Sequence, residues 1–188
     1  MAFSAVSSGT PGPNNLLLWA SGAAFGFRRT IPHVLGTALG IGGMALAVAA
    51  GFGALVVAVP ALAFVMKVAG SLYLLYLAWQ VAGASALQRT TVARPMSLLQ
   101  AAAFQVINPK AWIFALGAIT TFRPTDWPAL LGSIAVVLTM MVVILPTAAL
   151  WAGGGELIER AFAGPTARRV IGVVLAGLLV ASVAFVWI

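Results

Sequence analysis

Five stretches of this sequence, residues 35–58, 62–82, 98–119, 129–151 and 170–188, are almost wholly apolar, and each has the roughly 20 residues a helix needs to cross a hydrocarbon core about 30 Å thick. Backbone that enters lipid must satisfy its own hydrogen bonds, so these runs are expected to be helices and the chain an all-α polytopic membrane protein. Composition agrees: 62% of the 188 residues are hydrophobic and 7% are charged, against about 25% charged in a soluble domain. The connections are short and none reads as an extramembrane domain, so residues 1–188 are taken as a single membrane domain. Val59-Pro60 makes one sharp turn, and the longest polar stretch, 153–169, is expected to be a loop. Neither a basic leader nor a long apolar core opens the chain, so no cleavable signal peptide is expected.

A sixth run, 3–24, is long enough only if the motif TPGPNN at 10–15 lies inside the membrane. The basic residues bear on this. Arg28 and Arg29 fall in the first connection, Arg89 and Arg94 in the third, and Arg160, Arg168 and Arg169 in the fifth. The second connection has none and the fourth has Arg123 alone. Lys and Arg mark cytoplasmic loops, so the odd loops are expected in the cytoplasm and both termini outside, with six spans. Five crossings stay open at this point, because omitting the first would leave the N-terminus beside Arg28. The net charge of +7 is scattered singly and in pairs between apolar runs, which is a topology signal and not a nucleic-acid surface. With no cysteine, one histidine, and acids (Asp126, Glu156, Glu159) only in expected loops, neither a metal site nor a cofactor is expected.

The two halves of the chain echo each other. At an offset of 96, Pro13 matches Pro109, Gly36-Thr37 matches Gly132-Ser133, and Met44 matches Met140; Lys67-Val-Ala-Gly returns as Arg169-Val-Ile-Gly at an offset of 102. The matches fall in corresponding segments of two three-span halves, about 1–88 and 95–188. Three is odd, so the second half must insert upside down relative to the first. Two inverted three-span repeats are a transporter design.

The first and fourth spans are expected to be broken. In the fourth, FQVINPKAW at 104–112 puts Asn108-Pro109-Lys110 near the middle of an apolar run. In the first, Pro11, Gly12 and Pro13 stand at similar depth. Proline removes a backbone donor and clashes with the preceding turn, dividing each span into half-helices. Asn is a good N-cap and Pro is favoured at the first helical position, so each motif reads as the start of a new half-helix in mid-membrane. Such N-termini present free N–H groups and positive dipole charge, which suit a substrate carboxylate. Asn14, Asn15, Asn108 and Lys110 are therefore the candidate substrate-binding residues, in a site shared by the two halves. Lys110 has two open readings, pairing with the substrate or with backbone carbonyls freed by a break. Gln105 and Tyr73 are candidate lining. Lys67 reads either as an interfacial anchor or as a gate, and His33 either as polar lining or as a proton carrier. Gly36, Gly40, Gly43, Ala47 and Gly51 give the second span a small-residue face for a half-helix or for a second subunit in a homodimer.

These same motifs carry a family resemblance. TPGPNN at 10–15 with Gly26-Phe27-Arg28, KVAGSLYLLYLAW at 67–79, and Asn108-Pro109-Lys110 resemble, in order from Thr10 to about Phe122, the LysE/RhtB amino-acid exporter family. The resemblance implies a multi-pass inner-membrane protein that exports small amino acids or their derivatives from the cytoplasm, driven by the proton gradient. The doubled Asn is similar to the cysteine/O-acetylserine members; a homoserine/threonine type is the other neutral class. Two departures stand out. The second span, LGTALGIGGMALAVAAGFG, lacks the acidic residue of members that export basic amino acids, so neutral substrates are expected. The first half-helix is short and bears Ser4, Ser7 and Ser8, and its start is open between a truncated half-helix and one continuing upstream. The rival readings are a passive channel or lipid-handling protein using the same broken helices, a subunit that needs a partner, and an intramembrane enzyme. The enzyme lacks the nucleophile, acid pair or metal cluster it would require.

Overall fold

The computed structural model describes residues 1–84, 94–162 and 164–187, and within them every regular element is a helix. In chain order these are α1 (Ala2–Gly9), α2 (Pro13–Phe25), α3 (Phe27–Ala49), α4 (Phe52–Ala58), α5 (Pro60–Ala84), α6 (Leu98–Val106), α7 (Pro109–Phe122), α8 (Ala129–Ala161) and α9 (Pro165–Trp187). Local chemistry explains most of the boundaries. Pro13 and Pro109 occupy the first turns of α2 and α7, where a missing N–H costs nothing. Ser97 and Gln100 form a reciprocal capping box at the start of α6. Gly26, at φ +83, reverses the chain between α2 and α3 in one residue, a conformation that only glycine adopts without strain.

Among the described residues, α3 and α8 are each long and apolar enough to cross a membrane alone, and α6 with α7 forms a third apolar unit bent by 75° at the Asn108 break. Shorter apolar helical segments, Phe64–Trp79 and Arg169–Ala184, lie within α5 and α9. The molecule is thus a multi-pass, all-helical membrane protein. Its outer surface bears Leu99, Leu130, Leu138 and Leu150, each more than half exposed, as a lipid-facing surface requires.

Three expectations about boundaries need correction. The second span was expected over 35–58; the helix instead runs from Phe27 to Ala49, and Gly51, at φ +102, separates it from α4. Arg28 and Arg29 therefore lie in the first turn of α3 and not in a loop. The stretch 153–169 is helical as far as Ala161, so Glu156 and Glu159 are helix residues. Its glycine run stays helical because it is packed: a Cβ on Gly155 would strike the Trp19 backbone of α2. Arg89 lies outside the described residues.

The broken pair α1–α2 packs on α8, the broken pair α6–α7 packs on α3, α3 crosses α8, and α5 lies along α9. Lipid tails are as apolar as leucine, so close backbone approach, not water exclusion, holds such seams together. A Cβ on Gly36 would collide with the Leu98 carbonyl, one on Gly40 would come within 2.7 Å of the Ala102 carbonyl oxygen, and one on Gly22 would run into the Ala152 backbone. The face at Gly36 and Gly40 is thus occupied by a half-helix of the same chain, whereas Gly43 looks into open space. The largest buried cluster joins Ile41 and Met44 of α3, Phe114 and Ala118 of α7, and Val137, Met140 and Ile144 of α8. It walls one side of the region where the two breaks meet.

Candidate functional site

The two interruptions face each other and exchange hydrogen bonds. α1 ends at Gly9 and leaves carbonyls with no helical partner. Asn15 Nδ2 donates to two of them, Ser8 O at 2.6 Å and Thr10 O at 2.9 Å. Lys110, from the other break, donates through Nζ to Thr10 O at 2.6 Å, Thr10 Oγ1 at 2.8 Å and Pro11 O at 3.5 Å. Of the two readings open for Lys110, the structure has it on backbone carbonyls, and they belong to the opposite break. Gly12 makes room for it: a Cβ there would come within 2.8 Å of the lysine stem.

Behind this strap lies a buried cluster of amides. Asn14 Oδ1 accepts from Gln105 Nε2 at 2.8 Å and from Thr37 Oγ1 at 3.2 Å. Gln105 Oε1 accepts from Asn108 Nδ2 at 3.1 Å. Asn108 occupies the N-cap position of α7, but its side chain makes no cap bond and turns back toward α6. Its Oδ1 is buried with no hydrogen-bond partner among the described residues. A buried acceptor left without a donor is costly, so this oxygen is poised for one brought from outside.

Between the strap and the amides is a cavity of about 30 Å³, lined by Ser7, Ser8, Gly12, Asn14, Asn15, Thr37, Gln105, Asn108 and Lys110, with Phe114, Ile144 and Thr147 as its floor. That volume holds a water or two, so the site is drawn closed. Its wall is largely apolar with a few convergent polar groups, of which only Lys110 is charged, and it is bordered by the N-terminal turns of α2 and α7, whose dipoles favour an anion.

Of the residues singled out from sequence, Asn14, Asn15, Gln105, Asn108 and Lys110 come together here. Pro13 and Pro109 start the half-helices, and Pro11 and Gly12 form the turn between α1 and α2. The remaining three lie elsewhere. The Tyr73 ring is 5.2 Å from that of Phe104, behind α6, and Tyr73 is absent from the cavity wall. Lys67 sits at the α5–α9 seam, 5.8 Å from the ring centroid of Trp187, whose Nε1 donates to Ser71. His33 is buried in α3 at 1% exposure, one turn from Thr37, with neither ring nitrogen hydrogen-bonded to a described residue. Sequence reasoning missed Thr37, Thr10 and Thr147 as site residues. Thr37 had appeared only as part of a repeat match, and nothing in a single sequence says which hydroxyl of an apolar span faces inward.

The model of the LysE type translocator family matches residues 5–188, running through the last two spans, which the sequence motifs did not reach. The cysteine/O-acetylserine efflux proteins of Salmonella typhimurium (strain LT2) and Escherichia coli (strain K12) are each 30% identical to the chain over 178 residues, covering 95% of this chain and 90% of theirs. No solved structure matches. The chain belongs to the LysE-type translocator family, a transporter and not an enzyme.

Proposed function

We propose that this protein exports small neutral amino acids or their derivatives, of the cysteine/O-acetylserine class, from the cytoplasm across the inner membrane. The observation that carries this reading is the meeting of two helix breaks at a buried amide cluster in which Asn108 Oδ1 lacks a donor among the described residues. A zwitterion fits that chemistry. Its ammonium group would give a hydrogen bond to Asn108 Oδ1, the acceptor left open in the cluster, and its carboxylate would draw Lys110 Nζ away from Thr10 and lie against the N-terminal turns of α2 and α7. Among the described residues no carboxylate lines the cavity to hold a cationic side chain, which favours neutral substrates. The names of the two relatives point the same way.

The transport cycle is alternating access about this site by two inverted three-span repeats, with six crossings and the odd loops in the cytoplasm. The packing supports that reading, because the first broken pair lies on α8 and the second on α3, as an exchange of halves would give. The drive is the proton gradient, with His33 as the group that carries the proton inside the bundle. Lys67 serves as an anchor, its ammonium over Trp187.

The test is mass spectrometry of amino acids released by cells expressing the protein, compared with Asn14→Ala/Asn108→Ala at equal membrane level. Selective release of a few neutral amino acids or O-acetyl derivatives, lost in the variant, is expected. Non-saturable flux without counterflow would replace the exporter by a passive channel, and release unchanged in the variant would remove the amide cluster from the site.

A further inference from the structure

A second group of polar side chains is buried away from the central cavity, between it and the end of the bundle that carries Arg28, Arg29 and Arg160. On α3, Thr30, His33 and Thr37 recur at the spacing of one helix face. On the antiparallel α2, Asn14 and Ser21 do the same. Two hydrogen-bonded rungs join these faces: Asn14 with Thr37 at 3.2 Å, and Ser21 Oγ with Thr30 Oγ1 at 3.0 Å. His33 lies on the α3 face between them, and its carbonyl accepts from Thr37 Oγ1 at 3.0 Å. Thr30 and His33 are 0% and 1% exposed.

Neighbouring positions of the same two helices, Leu18 and Val34, instead close against Ala148 and Ala152 of α8. Polar side chains that turn inward in a membrane bundle either hydrogen-bond helices together or line routes taken by polar solutes. His33 adds an independent sign. An imidazole has a donor and an acceptor to satisfy, and here both nitrogens are buried without partners among the described residues. A conformation that wets them removes that penalty.

The seams around the file are shut. The Gly22, Gly36 and Gly155 positions bring backbone against backbone, and Glu156 of α8 spans the end of the file, accepting from the Phe27 N–H at 2.8 Å while pairing with Arg160. At the other end of the central cavity the wall is looser: Ser7 and Ser8 line it, and Thr10 is exposed.

We propose that Ser21, Thr30 and His33 form a second polar station, the collapsed half of the route by which a small zwitterionic solute reaches the Asn14–Gln105–Asn108 site from the Arg28/Arg160 end of the molecule. This rests on the exporter reading, and it identifies the conformation described as the one closed at that end.

The chain has no cysteine and one histidine, so two chemical probes read the station directly. In membranes from cells expressing single-thiol variants, a membrane-impermeant maleimide is expected to label Ser21→Cys and Thr30→Cys from the cytoplasmic side only. The lipid-facing control Leu39→Cys, on an exposed part of α3, stays at least tenfold slower. On the unmutated protein, diethyl pyrocarbonate is expected to modify His33 in membranes, read by peptide mass spectrometry. Gly153→Cys crosslinked to Phe27→Cys, which ties α8 to α3 across the closed end, should protect it. His33 protected at all times in the uncrosslinked protein, or thiols labelled only from outside, would overturn the proposal. Labelling without amino-acid export would keep the route and discard the exporter assignment; export with His33 never modified would do the reverse.

Discussion

At the scale of residues, the central amides are expected to matter more for transport than for folding. Hydrogen bonds between membrane helices are worth about 0.6 kcal/mol each on average, so deleting two of them removes little stability. Asn14→Leu takes the acceptor from both Gln105 and Thr37. Export is expected to fall at least tenfold, while the detergent-solubilised protein still elutes as the wild type does on size exclusion. Lys110→Met releases the strap to Thr10 and removes the cation proposed to meet a carboxylate; uptake into inside-out vesicles should show KM raised about tenfold, with kcat changed less, and Lys110→Arg should recover part of the loss. His33→Gln keeps a polar group but cannot carry a proton at physiological pH. Efflux should continue down a substrate gradient and lose its response to a collapsed proton gradient. The residues of the breaks were legible in the sequence because Pro, Gly and Asn have strong local meanings. Their partners were not: Asn108 was expected to cap its own half-helix, and instead its amide reaches Gln105, a choice decided by side chains brought together only in the fold.

At the scale of elements, the half-helices depend on backbone approach at glycine. Gly40→Val would drive a branched side chain into α6, and the thermal midpoint of unfolding should drop by several degrees. Gly43→Val, three residues further along the same helix and facing open space, should leave it nearly unchanged. A difference of that kind cannot be read from GIGG in the sequence, where the glycines look alike. The same ambiguity hid the true length of α8. A run of three glycines ahead of charged residues has the look of a loop, yet helix packing on α2 overrides its weak propensity. Stops made by geometry, at Gly9–Pro13 and at Asn108-Pro109, were legible because proline acts on the backbone whatever surrounds it.

At the scale of the molecule, all-helical architecture and membrane residence followed from the apolar runs, while arrangement did not. That α1–α2 would lie on α8 and α6–α7 on α3 is tertiary information, hinted at only by the matches at an offset of 96. The proposed orientation has a direct check. Alkaline phosphatase fused after Asp126 should be active and after Glu159 inactive, giving the two ends of α8 opposite sides.

One length sets the reach of any such movement. α8 has 33 residues with Pro146 near its middle, so it measures about 50 Å and outruns the hydrocarbon core by about 20 Å. Glu156 stands ten residues beyond that proline, on an arm of about 15 Å. Swinging the arm through about 15° at the proline carries the carboxylate about 4 Å, more than the length of its bond to Phe27. A small bend in one helix is thus geared to the full unlatching of the end of another.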